Sequence, residues 1–147
     1  MLRCVVDTNV IVSGILSRTG APAEVLNAWR ERRFLLLSSP AIVAEVRSVL
    51  HYPHIRKKYP LVDEDIEQMI KLLEHDALIV AGDANVIGSI PEDPQDEMFL
   101  ACALDGQADS IVSGDHHLLD LGIYRDIPIM TARKFLDQLA REWVLRP

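Results

Sequence analysis

Short runs rich in Val, Ile and Leu recur at Arg3 to Val6, Phe34 to Leu37, Ala77 to Ala81, Ser110 to Val112 and Pro128 to Met130, with helical patterns between them. This β-α alternation is the feature that most narrows the choice of fold. Consecutive strands joined by helices lie parallel, and a parallel sheet needs cover on both faces, so the pattern predicts an α/β fold: a three-layer α/β/α sandwich with a central, mostly parallel sheet. With 147 residues, 49% of them apolar, the chain suits one domain over 1–147 with a sizeable core. It shows no internal repeat, low-complexity tract or Gly/Ser-rich linker to divide it.

The helices are placed by their stops and apolar stripes. One follows the first strand from Val10 to Leu16. A second runs from Pro22 to Arg32, with proline in the first turn. Ser39 is set to cap a third from Pro40 to Leu50, whose Ile42, Val46, Val49 and Leu50 face inward with Glu45 on or beside the stripe. Further helices are expected from about Glu64 to His75, from Pro94 to Leu104, and after Thr131. Met98, Phe99, Trp29 and Trp143 are assigned to the core.

Composition excludes several classes. No apolar run approaches the roughly 18 to 20 residues that span a bilayer, and there is no positively charged start followed by a long apolar segment, so the expectation is a cytoplasmic protein with no membrane association. Cys4 and Cys102 are too few for a disulfide framework and read as buried free thiols. A net charge of -7 argues against coating nucleic acid by bulk electrostatics, but not against a nuclease whose acids are catalytic.

Four acids stand out by position. Asp7 ends the first strand and Asp115 follows Ser110 to Val112, and ligands of open parallel sheets bind beyond the carboxyl ends of strands. Asp96, in the first turn of its helix, shares a face with Phe99 and Ala103, and Glu45 also leans inward. Two such charges at about 4 Å repel by roughly 4 kcal/mol at an effective dielectric of 20, so a converging cluster needs a proton, a base or a cation. Oxygen-only donors suit Mg²⁺ or Mn²⁺, which can activate water and hold a phosphodiester for in-line attack. The plainer reading is that first-turn acids complement the helix dipole, the ordinary role of Glu92, Asp93, Asp96 and Glu97 taken singly, and that Asp7 and Asp115 are turn or cap residues.

These residues fall in ordered motifs that resemble the PIN domain family, specifically its prokaryotic members regarded as toxins of toxin-antitoxin pairs. Val5-Val6-Asp7-Thr8-Asn9-Val10 resembles the first acidic motif and Ser39-Pro40 through Glu45-Val46 the second. Asp96 to Ala103 resembles the third, and Ser110 to Asp115 followed by Leu118-Leu119 the fourth. The likeness implies strand order 3-2-1-4-5 and a metal-dependent endoribonuclease. It implies Asp7, Glu45, Asp96 and Asp115 as a catalytic quartet, with Asp7, Asp96 and Asp115 holding Mg²⁺ or Mn²⁺ and Glu45 orienting water or completing the metal shell. Thr8, Asn9, Asp93 and Ser113 would be auxiliaries, Ser113 standing where the family often has Thr. An antitoxin partner and a homodimer are implied in the same way.

For an RNA substrate, Arg56, Lys57 and Lys58 are the better basic cluster, because Tyr52 and Tyr59 flank it and can stack on bases. His116-His117 is set aside as a metal pair, since adjacent helical side chains diverge and at most one points inward. A zinc site at His51 and His54 is set aside because Pro53 between them spoils a regular helical spacing. A DNA-directed, flap-type nuclease and a non-catalytic RNA- or protein-binding module on the same fold stand as alternatives.

Overall fold

Strand β1 (Arg3–Val6) has Cys4, Val5 and Val6 at zero exposure, a continuous apolar run in the manner of a strand covered on both faces. In this computed structural model, which describes residues 1–144, β1 pairs in parallel with β2 (Leu35–Ser38) on one side and β4 (Ser110–Val112) on the other. Strand β3 (Leu78–Ile79) extends the sheet beyond β2, and β6 (Ile127–Met130) extends it beyond β4, also in parallel. A short β5 (Ile123–Tyr124) pairs antiparallel on β6, giving the order β3-β2-β1-β4-β6-β5.

The five parallel strands follow the expected 3-2-1-4-5 order, with β6 as the fifth, and the antiparallel edge strand is an addition. Its turn is Arg125-Asp126, both at positive φ (47° and 70°), the backbone of a tight two-residue hairpin whose usual sequence mark is Asn-Gly or Asp-Gly. Arg-Asp carries no such mark. Strand β3 is also shorter than the Ala77 to Ala81 run suggests, because the chain leaves the sheet after Val80 N–H reaches Ser38 C=O.

Helices α1 (Thr8–Leu16) and α2 (Ala21–Arg30) cross from β1 to β2, while α3 (Pro40–Leu50), α4 (Pro53–Lys58) and α5 (Asp63–Asp76) cross from β2 to β3. Pro53, taken from sequence as a disruption, sits in the first turn of α4, where its missing N–H costs nothing. A 3₁₀ turn (Pro94–Asp96) leads into α6 (Glu97–Asp105), whose Ala101, Cys102 and Ala103 are buried as the helix packs on β1, β2 and β4. The small side chains allow that close approach. Helix α7 (His116–Leu119) follows β4, and α8 (Ala132–Val144), capped by Thr131 Oγ1 on Lys134 N–H, packs on α2. Phe135 of α8 meets Phe34 edge to face at 5.0 Å.

Phe99 and Trp29 lie in the core and Met98 packs against it; the side chain of Trp143 lies outside the described residues. Both cysteines are free and buried, and burial pushes each thiol up to about 12. Among the described residues no helix is long and apolar enough to cross a membrane.

Gly14 lets α1 and α2 touch: a Cβ there would lie 2.6 Å from Leu26 Cδ1 and 2.7 Å from the Pro22 carbonyl oxygen. Gly14→Ala should therefore destabilise the fold by about 1–3 kcal/mol despite alanine's better helix propensity, because a backbone atom must move. Urea unfolding of the two proteins gives the sign directly; an unchanged or raised midpoint would show that the helices part without cost.

Candidate metal centre

The strand order runs outward from β1 through β2 and β3 on one side and through β4 and β6 on the other, so the switch point lies between β1 and β4. Their register pairs Val6 with Val112, which leaves Asp7 and Ser113 as the next residues past adjacent strand ends. Asp7 is 2% exposed, and its Oδ1 caps α1 by accepting from Val10 N–H at 2.9 Å. Its Oδ2 accepts from the Ser113 hydroxyl and from Gly114 N–H (3.2 Å). The Ser113 hydroxyl in turn accepts from Asp115 N–H at 2.9 Å. Burial raises the Asp7 carboxyl above its ordinary range; those hydrogen bonds oppose the rise, and the nearby Asp115 adds to it.

Asp115 Oδ1 accepts from His117 N–H at 2.7 Å and so caps α7. Across from it the 3₁₀ turn delivers Asp93 and Asp96. Donor atoms of Asp93, Asp96, Asp115 and His117 all lie within 4.8 Å of one another, each side chain partly buried. Burial, with the charges of Asp115 and Asp93 facing it, pushes the Asp96 carboxyl up to about 7. Asp96 Oδ2 and His117 Nδ1 are buried atoms without a hydrogen-bond partner. Three carboxylates and a ring nitrogen, with two of the donor atoms buried and unpartnered, make a set that fits a divalent cation such as Mg²⁺ or Mn²⁺.

The group opens onto a cleft of about 670 Å³ whose walls include Asn9, Glu45, Asp93, Asp96 and Asp115. Glu45, partly buried, accepts from Gln95 Nε2 at 2.9 Å and faces this cleft from α3, outside the tight group. Thr8 is buried in the first turn of α1. Of the basic cluster, Lys58 lines the cleft beside Tyr52 and Tyr59, and its ammonium lies 5.6 Å from the Tyr59 ring centre. Arg56 instead binds Asp63 at 2.5 Å and the Leu61 carbonyl at 3.1 Å, and Lys57 is exposed.

Two residues of this region escape sequence reasoning. His117 joins the acids while His116 stays exposed, yet the two side chains do not diverge as expected of helix neighbours: their rings stack at a centroid distance of 4.0 Å, and donor atoms of Asp115, His116 and His117 lie within 4.8 Å of one another. Asp115 caps α7 by accepting from the N–H of its second residue, His117, and the Asp-X-His spacing is the signal. Glu97, read as a dipole partner, is instead buried and accepts from Ile90 N–H (2.8 Å) and Gly88 N–H (3.3 Å). It pins the loop that leads into Asp93, and its cue is its place at the head of the buried Met98 to Ala103 helix.

The family model for the PIN domain matches residues 3–117, and the chain belongs to that family. An uncharacterised protein of Methanocaldococcus jannaschii is 26% identical over 120 residues, which cover 82% of this chain and 75% of that protein. Among solved structures, VapBC2 from Rickettsia felis, bound to a DNA fragment from their promoter, matches with a TM-score of 0.58 at 12% identity, covering 87% of this chain and 97% of that one. FitAcB from Neisseria gonorrhoeae matches with a TM-score of 0.53 at 18% identity, covering 88% and 98%. At those identities the likeness is one of fold.

A carboxyl raised in the folded state binds its proton more tightly there than in the unfolded chain. Cation-free stability therefore falls as pH rises from about 4 to about 7, and the loss persists above that. Screening by solvent reduces the cost to about 1 kcal/mol, or roughly 2–4 °C in Tm for a chain of this size. Asp96→Asn should accordingly melt higher than the parent by that amount at pH 8 in chelator, with the difference vanishing near pH 4. Identical melting curves at both pH values would mean that no such repulsion is stored.

Proposed function

We propose that this chain is a divalent-cation-dependent endoribonuclease, the toxin of a toxin-antitoxin pair, that cleaves RNA by in-line attack of water on phosphorus. The observation that carries the reading is the convergence of Asp93, Asp96 and Asp115, with Asp7 tied in behind them, at the mouth of a cleft beyond the carboxyl ends of β1 and β4. Membership of the PIN domain family supports the nuclease class. The motif resemblance to toxins, and a fold shared with VapBC2 and FitAcB, support an antitoxin partner; a homodimer and a cytoplasmic setting belong to the same reading on the motif resemblance and the composition alone.

In this reading Asp96 and Asp115, with Asp93, hold Mg²⁺ or Mn²⁺. Such a cation, when bound, supplies positive charge to the pentacoordinate phosphorus and to the leaving oxygen, and lowers the pKa of water. Asp7, expected among the ligands, stands outside that group of donors with both oxygens engaged in hydrogen bonds; it adds charge from behind and, through Ser113, fixes the chain direction at Asp115. Glu45, steadied by Gln95, orients the attacking water and takes its proton. Tyr52 and Tyr59 offer faces on which unpaired bases stack, and Lys58 and Asn9 meet phosphate along the same cleft. Arg56, engaged with Asp63, shapes α4, while Lys57 adds to the field that attracts the backbone.

The test is a labelled panel of single-stranded RNA, structured RNA and DNA, with and without Mn²⁺, for the parent and for Asp7→Asn and Asp96→Asn. RNA cleavage that needs the cation and falls by roughly 100-fold or more in both folded variants is expected. DNA cleavage alone would move the flap-type reading ahead, and a folded parent inert on the whole panel but binding RNA or a protein would make the chain a binding module.

A further inference from the structure

His117 carries chemistry that the acids do not. Its Nδ1 lies 3.6 Å from Asp115 Oδ1 and 3.9 Å from Asp93 Oδ2. Both distances are beyond a hydrogen bond, and the nitrogen is buried without a partner. The buried, unpartnered Asp96 Oδ2 belongs to the same group of donors. A ring nitrogen and a carboxylate oxygen, both stripped of water and both unpaired, leave two desolvation costs that a shared cation would offset.

Resting on the cation reading of this site, we propose that His117 Nδ1 is a direct ligand of the bound ion and makes the site favour first-row transition ions such as Mn²⁺ over Mg²⁺. Mg²⁺ is hard, prefers oxygen and gives up water reluctantly, whereas imidazole nitrogen is a good donor to transition ions. With three carboxylates alone the site would discriminate weakly between the two. The remaining ring nitrogen, Nε2, carries the proton in this arrangement. Asp115 caps the backbone N–H of His117 whatever the side chain there, so replacing the ring leaves that hydrogen bond in place.

His116 is the competing ring, exposed and stacked on His117 at a centroid distance of 4.0 Å with a donor atom within 4.8 Å of those of Asp115 and His117, so its variant must be read beside those of His117. Pulsed electron paramagnetic resonance of the Mn²⁺-loaded protein should show coupling to nitrogen in the parent and in His116→Ala, and none in His117→Ala or His117→Gln. Calorimetric titration should show Mn²⁺ binding weakened roughly tenfold or more in the two His117 variants, with Mg²⁺ binding much less affected. Mn²⁺ that binds and is lost in Asp96→Asn, yet shows no nitrogen coupling in the parent, overturns the role of His117 and leaves the cation site standing. Coupling that persists in both His117 variants, or equal weakening for the two ions, overturns it as well. Failure of Mn²⁺ to bind the folded parent overturns the cation reading and this inference together.

Discussion

The shared hydrogen bonding of Asp7 is the interaction on which the rest of the site depends. One carboxylate starts a helix through Val10 N–H and joins the ends of two neighbouring strands through the Ser113 hydroxyl and Gly114 N–H. Because β1 and β4 flank the switch point, this joint lies where the sheet opens into a crevice. The Ser113 hydroxyl passes the constraint on by accepting from Asp115 N–H, so the direction of the chain at the second acid follows from the position of the first. A buried carboxylate is tolerable here because hydrogen bonds replace the water it has lost.

The opposite wall is held by a different device. The connection from β3 to the 3₁₀ turn is long and largely irregular, yet Val86 and Ile90 are buried and Glu97 takes two of its backbone N–H groups. Asp105 Oδ2 takes a third from Asp83, and Ser89 meets the Tyr124 hydroxyl at 2.7 Å. The β5–β6 hairpin thus braces the loop that delivers Asp93 and Asp96. Two walls, each fixed by a buried acid, bring three further carboxylates together, and the Asp96 carboxyl is raised by burial first and then by the charges of Asp115 and Asp93.

What the sequence reveals follows the range of the forces involved. The central strands and the helices with clear stripes and caps are legible because burial on both faces, Ser39 over Ile42 and Thr131 over Lys134 all act within a few residues. The added β5 is not, since Arg125-Asp126 adopts positive φ without the residues that usually mark such a turn. Helix α4 is hidden for a related reason: Pro53 reads as an interruption, although at a first turn it is a start. At the site, strand ends locate Asp7 and Asp115, but the 3₁₀ turn that brings Asp93 level with Asp96 depends on Glu97 and the loop it anchors, a tertiary constraint.

The contrast between Glu97 and its neighbour Asp96 shows why residue type alone does not separate structure from chemistry. Both are acids at the head of α6, and both are withdrawn from water. Glu97 meets two backbone N–H groups, so its charge is matched by donors that the fold supplies. The Asp96 carboxyl is raised instead, by burial first and then by the carboxylates of Asp115 and Asp93 beside it, and one of its oxygens is buried without a partner. A fold selected for stability alone would gain by replacing the second acid but not the first. An acid at adjacent positions thus locks a loop in the first case and meets its like in the second, and only the second, beside Asp93, Asp115 and the bare Nδ1 of His117, belongs to a group of donor atoms that a cation from solution would satisfy.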